Sequence, residues 1–318
     1  MSRINRLSVE RIEEASARID PVFLNTPQYI NEPLSSLFGV NLVLKIETLN
    51  PIRSFKGRGA DWLVSQVDSD TSLICASAGN FGQAMAFSCR EKNIKLTVYA
   101  SVKANPLKIE RMKSLGAKVI LHGDDFDAAK LEASRVAKNQ GVRFIEDSLD
   151  IETVEGAGTI GLELLQFPQP IDVLLVPLGN GAMINGISCV YKKNSPQTKI
   201  IAVQAEGASA MIESWRSGTL VFHDTVNTIA DGIAVRIPVP QALEDMRGLV
   251  DDAILVKEES IIAAMKLIHL YCGIVVEPSG AVGIASLLEQ GEKFKGSRVG
   301  TIICGSNLTE EQMKLWIS

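Results

Sequence analysis

What this sequence has little of narrows its function before any motif is read. It has no excess of positive charge: 32 lysines and arginines stand against 37 aspartates and glutamates, a formal net charge of -5. With a pI near 5.4, no global field draws the chain to nucleic acid or to an acidic membrane. No apolar run approaches the ~20 residues that span a bilayer. The opening stretch, MSRINRLSVERIEEASARID, lacks the apolar core of a signal peptide and reads as an amphipathic helix. The five cysteines (Cys75, Cys89, Cys189, Cys272 and Cys304) are odd in number and widely spaced. Without a CxxC pair or a Cys/His cluster, neither a disulfide framework nor a zinc site is indicated. These absences lead us to expect a soluble protein of the reducing cytoplasm, with no nucleic-acid or membrane partner.

What is present is an ordinary globular balance, 46% hydrophobic and 22% charged over 318 residues, enough chain for two domains. Short β-branched runs alternate with longer helical patterns along nearly the whole length. VNLVLKIE, SLICA, IKLTVYA, AKVILH, RFIED, DVLLVPL, KIIAVQA, DAILV and RVGTIIC read as buried strands. Between most of them fall helical stretches such as GQAMAFSCREK, DAAKLEASRVAKNQ and MINGISCVYKK. This alternation implies an α/β fold of parallel sheets covered by helices on both faces. No repeat, low-complexity tract or linker interrupts it.

Ligands of open parallel sheets bind where strands end and helices begin. Four glycine-rich turns stand at such junctions: SAGNFGQ, PLGNGAMING, EPSGAVG and CGSN. PLGNGAM follows a strand and opens a helix, so convergent backbone N–H groups and the helix dipole form an anion cradle. A phosphate monoester, a dinucleotide and a plain tight turn all fit it. Glu206 after the next strand favours the dinucleotide; Ile184 at the third glycine position and Pro177 before the turn oppose it. SAGNFGQ offers Ser77, Asn80 and successive N–H groups to a carboxylate, although helix capping explains the same residues. Glu277 before Pro278 reads equally as a cap, and Cys304 as a buried small hydrophobe.

A fifth stretch, RSFKGRGA at residues 53–60, brings Arg53, Lys56 and Arg58 together without a carboxylate. A solvated basic turn is the plain reading. A nucleophilic lysine, however, must lose its proton, which nearby cations and a dry wall such as Phe55 promote. An activated lysine together with a phosphate cradle is what pyridoxal phosphate requires.

In order, LKIETLNPIRSFKGRGA, ASAGNFGQAMAF, VPLGNGAMINGI, TIADGIAV, VEPSGAVG and CGSN resemble the motifs of fold-type-II pyridoxal-phosphate enzymes. The branch is that of threonine dehydratase and serine racemase, and the match runs from about residue 25 to 308. The resemblance implies a tryptophan-synthase-β-like fold with two doubly wound open sheets. Residues 1–64 and 146–318 would form a large cofactor-binding domain, 65–145 a small substrate-closing one, and the enzyme would be a homodimer. By position, Lys56 is the Schiff-base residue and Asn80 meets the cofactor's ring oxygen. Gly179, Asn180, Gly181, Ala182 and Met183 hold the phosphate; Phe55 and Glu277 adjoin the cofactor, and Cys304 meets the pyridine nitrogen. Ser77, Ala78, Gly79, Asn80 and Phe81 would receive the substrate carboxylate.

A neutral Cys304 does not hold the pyridine nitrogen protonated, which favours loss of a β-substituent over transamination. The implied reaction is β-elimination from L-threonine or L-serine. The alternative is β-replacement on an activated serine or homoserine ester. Several positions depart from the pattern. Ser77-Ala78 lacks the second serine that racemases use as an acid. Phe81 replaces the usual His. Glu206 matches one acid of the racemase cation site but Ile212 takes the place of the other, so no metal is expected. Arg53 stands where family members often carry Gly or His; facing the pocket, it would pair with a second substrate carboxylate and select 3-hydroxyaspartate. With only a short stretch after CGSN, no regulatory C-terminal domain of the kind found in biosynthetic threonine dehydratases is expected.

Overall fold

The computed structural model of the chain describes residues 6–317; the start of the expected N-terminal helix lies outside them. The rest of that helix is Val9–Arg18, capped by Ser8, whose Oγ accepts from Arg11 N, and it buries Ile12 and Ala15. Ten strands follow: β1 (Gln28–Ile30), β2 (Asn41–Ile46), β3 (Ser72–Ala76), β4 (Lys95–Ala100) and β5 (Lys118–Leu121), then β6 (Arg143–Ile145), β7 (Val173–Pro177), β8 (Lys199–Ala205), β9 (Asp252–Val256) and β10 (Arg298–Ile303). They form two sheets, one of six strands in the order β1-β2-β10-β7-β8-β9, the other of four in the order β5-β4-β3-β6.

The four-stranded sheet is wholly parallel. In the six-stranded sheet every pairing is parallel except that of β1 with β2. The inner parallel strands are the apolar runs of the sequence, because helices cover both their faces and leave no side for polar residues; every residue of β7 is buried, whereas the edge strand β5 buries none. β1 is the strand that the sequence hides. Its three residues, QYI, show neither a run nor an alternation.

On one face of the large sheet lies the core that includes Val282, Ile284 and Leu287 of the helix Pro278–Gln290. On the other lie Ile160 and Leu164 of the helix Ile151–Leu165 and Ile184 and Ile187 of the helix Ala182–Asn194. The helix Lys56–Ser65 bridges the two sheets, and its glycines are there for close packing. A Cβ on Gly57 would lie 2.2 Å from the Phe23 ring, and one on Gly59 would lie 2.6 Å from the Thr153 carbonyl oxygen. The glycines of KGRG therefore seat a helix rather than loosen a turn.

Candidate active site

The loop before Lys56 is shaped by Asn50. Its Oδ1 accepts from the Ile52 and Ser54 N–H groups, at 3.2 and 3.3 Å, and its Nδ2 donates to the Ser54 carbonyl at 3.1 Å. Arg53 turns the chain with φ +53. Ser54 then forms an isolated β-bridge with Gly305, and Phe55 N donates to the Cys304 carbonyl at 3.1 Å. Lys56 is thereby set at the carboxyl end of β10, as the first residue of its helix.

The three cations of RSFKGRGA go to different places. Arg58 is fully buried and donates to Glu47 at 2.8 and 2.9 Å, to Glu163 at 2.6 and 3.0 Å, and to Thr159 Oγ1 at 2.9 Å. Burial opposes the Arg58 charge, but the two carboxylates outweigh it and hold the proton more firmly. The equally buried Lys45 adds an ion pair of 2.5 Å with Glu163. Glu163 is drawn down to about 2 although burial alone would raise it. Arg53 is exposed and outside the cleft that Lys56 lines. The structure gives no support to the expectation that the arginines activate Lys56: Arg53 lies outside the cleft, and Arg58 is taken up by Glu47 and Glu163, carboxylates remote in sequence. Lys56 has its own: Nζ meets Asp147 Oδ2 at 2.6 Å and lies 4.7 Å from the centre of the Phe55 ring.

That cleft has a volume of about 600 Å³ and opens at the carboxyl ends of strands of both sheets. Every site residue named from the sequence lines it: Phe55, Lys56, Ser77, Ala78, Gly79, Asn80, Phe81, Gly179, Asn180, Gly181, Ala182, Met183, Glu277 and Cys304. After β3, Ser77 Oγ accepts from Gly79 N and Gly82 N, at 3.2 and 2.9 Å, so it satisfies amides at the start of the helix Asn80–Glu91, whose N-cap is Gly79. Asn80 does not cap. Its Nδ2 donates to Glu277 Oε1 at 2.7 Å, and its Oδ1 accepts from Asn307 Nδ2 at 2.8 Å. Glu277 does stand at the N-cap position of the helix Pro278–Gln290, but its side chain does not cap: Oε2 accepts from Asn307 N at 3.1 Å. Burial raises Glu277, and Lys108 pulls it the other way. The glycine of CGSN is needed here, because a Cβ on Gly305 would lie 2.1 Å from Glu277 Oε1.

After β7, Gly181 takes φ +100, which only glycine adopts freely, and the helix Ala182–Asn194 starts from it. Gly179 and Gly181 line the cleft at the N-terminus of this helix, and a Cβ on either would press on its surroundings, at 3.1 Å from the Gly232 carbonyl oxygen and 3.1 Å from Ala242 Cβ. Glu206, the residue that favoured a dinucleotide, is exposed and outside the cleft, which removes the support for that reading. Cys304 is buried, and burial pushes its thiol far above the usual range; at neutral pH it carries no charge.

The sequence missed several charged residues of the cleft. Lys108 pairs with Asp231 at 2.5 Å. Arg236 pairs with Asp127, and Lys130 with Glu146. Asp147 was read only as the end of a strand run, and Asp231 stood unnoticed inside TIADGIAV. Partners this remote in sequence leave no local pattern.

A lysine at the cleft wall, a bare glycine cradle at a helix N-terminus, a carboxamide and a neutral thiol suit pyridoxal phosphate. A further sign is Ser279, buried and lining the cleft, whose hydroxyl has no hydrogen-bond partner. A family model described as pyridoxal-phosphate dependent enzyme matches residues 19–305, and the chain belongs to that family. It stands in the family's threonine dehydratase-like branch, and its cofactor is pyridoxal 5′-phosphate. It is 34% identical to the L-threonine ammonia-lyase of Thermotoga maritima over 305 residues, 95% of this chain and 76% of that protein. It is also 34% identical to the catabolic L-threonine dehydratase of Staphylococcus aureus over 309 residues, 95% of this chain and 89% of that protein. Maize serine racemase superposes with a TM-score of 0.91 at 28% identity, over 97% of this chain and 96% of that one.

Proposed function

We propose that this chain is a pyridoxal-phosphate-dependent lyase that deaminates a small β-hydroxy amino acid, L-threonine or L-serine, to a 2-oxo acid and ammonia. The observation that carries this reading is Lys56 facing a cleft that also holds the glycine cradle and a neutral Cys304. When bound, the cofactor supplies an electron sink for the Cα–H bond. Lys56 would hold it, and its Nζ would take the Cα proton. Gly179 to Met183 hold the phosphate. The turn Ser77–Phe81 would receive the substrate carboxylate, and Asn80, fixed by Glu277 and Asn307, would orient the cofactor. Cys304, as a neutral thiol, would not hold a pyridine nitrogen protonated, and the weaker sink would favour loss of the β-group over transamination. Ala78 offers no acid for racemisation.

In this reading residues 65–145 close over the substrate, and the enzyme works in the cytoplasm as a homodimer. Arg53 gives no reason to prefer 3-hydroxyaspartate, since it is exposed outside the cleft. The deciding experiment measures ammonia and 2-oxo acid from threonine, serine, 3-hydroxyaspartate and diaminopropionate, with and without an added thiol. Stoichiometric 2-oxo acid from serine or threonine is expected. A thioether product formed at the expense of 2-oxo acid would move the assignment to β-replacement on an activated ester.

A further inference from the structure

β6 ends at Ile145, and the chain turns tightly over residues 146–150 before the helix Ile151–Leu165. Many bonds hold this turn. Glu146 N donates to Asp150 Oδ2 at 2.7 Å, Ser148 N to Thr153 Oγ1 at 2.9 Å, and the Arg6 guanidinium to the Ser148 carbonyl at 2.8 Å. Ser148 has the left-handed backbone, φ +71, a strained state for serine that persists only where its surroundings impose it. Its Oγ accepts from Ala182 N at 3.1 Å, which ties the turn to the cofactor cradle. The turn aims Asp147 into the cleft. One carboxylate oxygen, Oδ2, meets Lys56 Nζ at 2.6 Å; the other, Oδ1, is shut off from water and has no hydrogen-bond partner. Buried oxygens are seldom left without a donor, and a charged one is the costliest to leave so.

We propose that Asp147 reads the substrate's β-substituent: Oδ1 accepts a hydrogen bond from a β-hydroxyl while Oδ2 holds Lys56 Nζ. This deepens the elimination reading above and rests on it. The Cα proton moves to Nζ, and the pair of the broken Cα–H bond becomes the Cα–Cβ double bond. The Cβ–O bond breaks with its pair on oxygen. The hydroxyl, held on the same carboxylate, takes a proton from Nζ and leaves as water, which returns Lys56 to its amine. A β-group that carries a hydrogen satisfies Oδ1. A β-chloride or an acyl ester does not, and it leaves the oxygen buried and unpaired.

The test compares kcat/KM for L-serine and for β-chloro-L-alanine in wild-type holoenzyme, Asp147→Ala and the isosteric Asp147→Asn. The Ala variant is expected to lose about 10- to 100-fold more on serine than on the chloride, the range for a hydrogen bond to a charged group. The Asn variant, which keeps the fold if Ala does not, loses about tenfold more on serine. Equal losses on the two substrates would overturn the proposal. A second arm needs no turnover. α-Methyl-L-serine keeps the hydroxyl without a Cα proton, and 2-aminoisobutyrate lacks both; each is titrated on the absorbance of the bound cofactor. The wild type should prefer the former by about tenfold, and Asp147→Ala should lose that preference. A preference that survives in the variant sinks the idea. If no hydroxy amino acid is consumed, the reaction reading fails on its own while this titration still judges Asp147.

Discussion

Replacing Arg58 by methionine should destabilise the protein sharply, although Arg58 touches neither cleft nor solvent. The perturbation removes one member of a balanced group, leaving Glu47 and Glu163 buried with Lys45 as their remaining cation. Glu163 stands at about 2, against an ordinary 4.5. At about 1.4 kcal/mol per unit, that difference corresponds to roughly 3 kcal/mol of favourable interaction. Stranding part of a buried ion pair costs about 3–5 kcal/mol, so the two routes agree. With unfolding entropy near 2.1 cal/mol/K per residue, the midpoint of a chain this long should fall by about 5–7 °C. Because the folded-state value of Glu163 is depressed, its contribution is complete above about pH 4.5 and fades as pH falls towards 2. Calorimetry at pH 7 and across that acid range would show a steep acid limb in the wild type and a shallower one in Arg58→Met. Adding Glu163→Gln to Arg58→Met should recover part of the loss, since the stranded carboxylate is then gone. A midpoint within about 1 °C of wild type at pH 7 would refute the reasoning.

Lys56→Ala should abolish the visible absorbance of lysine-linked cofactor while leaving the fold intact; a borohydride-fixable adduct in that variant would mean that another lysine carries it. Any residue at position 181 must bear the strain of φ +100, about 1–3 kcal/mol, so Gly181→Asp costs stability as well as affinity. The informative quantity is the cofactor Kd of Gly181→Asp relative to Gly181→Ala, which should be at least tenfold weaker if the phosphate sits there. Glu277→Gln should shift the cofactor's absorbance, because Asn80 Nδ2 loses a charged acceptor and gains an amide that repositions it; an unchanged spectrum would detach Glu277 from the ring. Arg53→Gly should leave substrate preference untouched and raise stability by up to about 1 kcal/mol, since it relieves φ +53; lower stability in a melt would contradict this.

The strands were legible because burial on both faces writes them as unbroken apolar runs, and the site was legible because its backbone turns demand glycine. What the sequence hid follows from two physical causes. KGRGADWLVS does not look helical, with two glycines in its first turn, yet it forms the helix Lys56–Ser65 because packing on Phe23 and Thr153 outweighs propensity. The charges misled for a different reason. Lys56 and Asp147 are 91 residues apart, Arg58 and Glu163 105, and Asn80 and Glu277 197. A run of like charges in sequence says nothing about the field at a buried atom when the counter-charges come from such distances.

The position of β10 has a consequence for synthesis. It follows the other nine strands in the chain, yet it lies inside the large sheet, between β2 and β7. Arg298 must pair across to Asn41 and Val299 to Val173. While a ribosome is still making this chain, the continuous stretch 72–145 can assemble its four-stranded sheet, but β2 and β7 must wait with open edges for a strand not yet translated. Such non-local pairing is slow and prone to aggregation. The loop that seats Lys56 leans on Cys304 and Gly305, so it too stays unsupported until translation passes β10. If Lys56 holds the cofactor, as proposed above, its capture would be a late event in the life of each molecule, following closure of the large sheet.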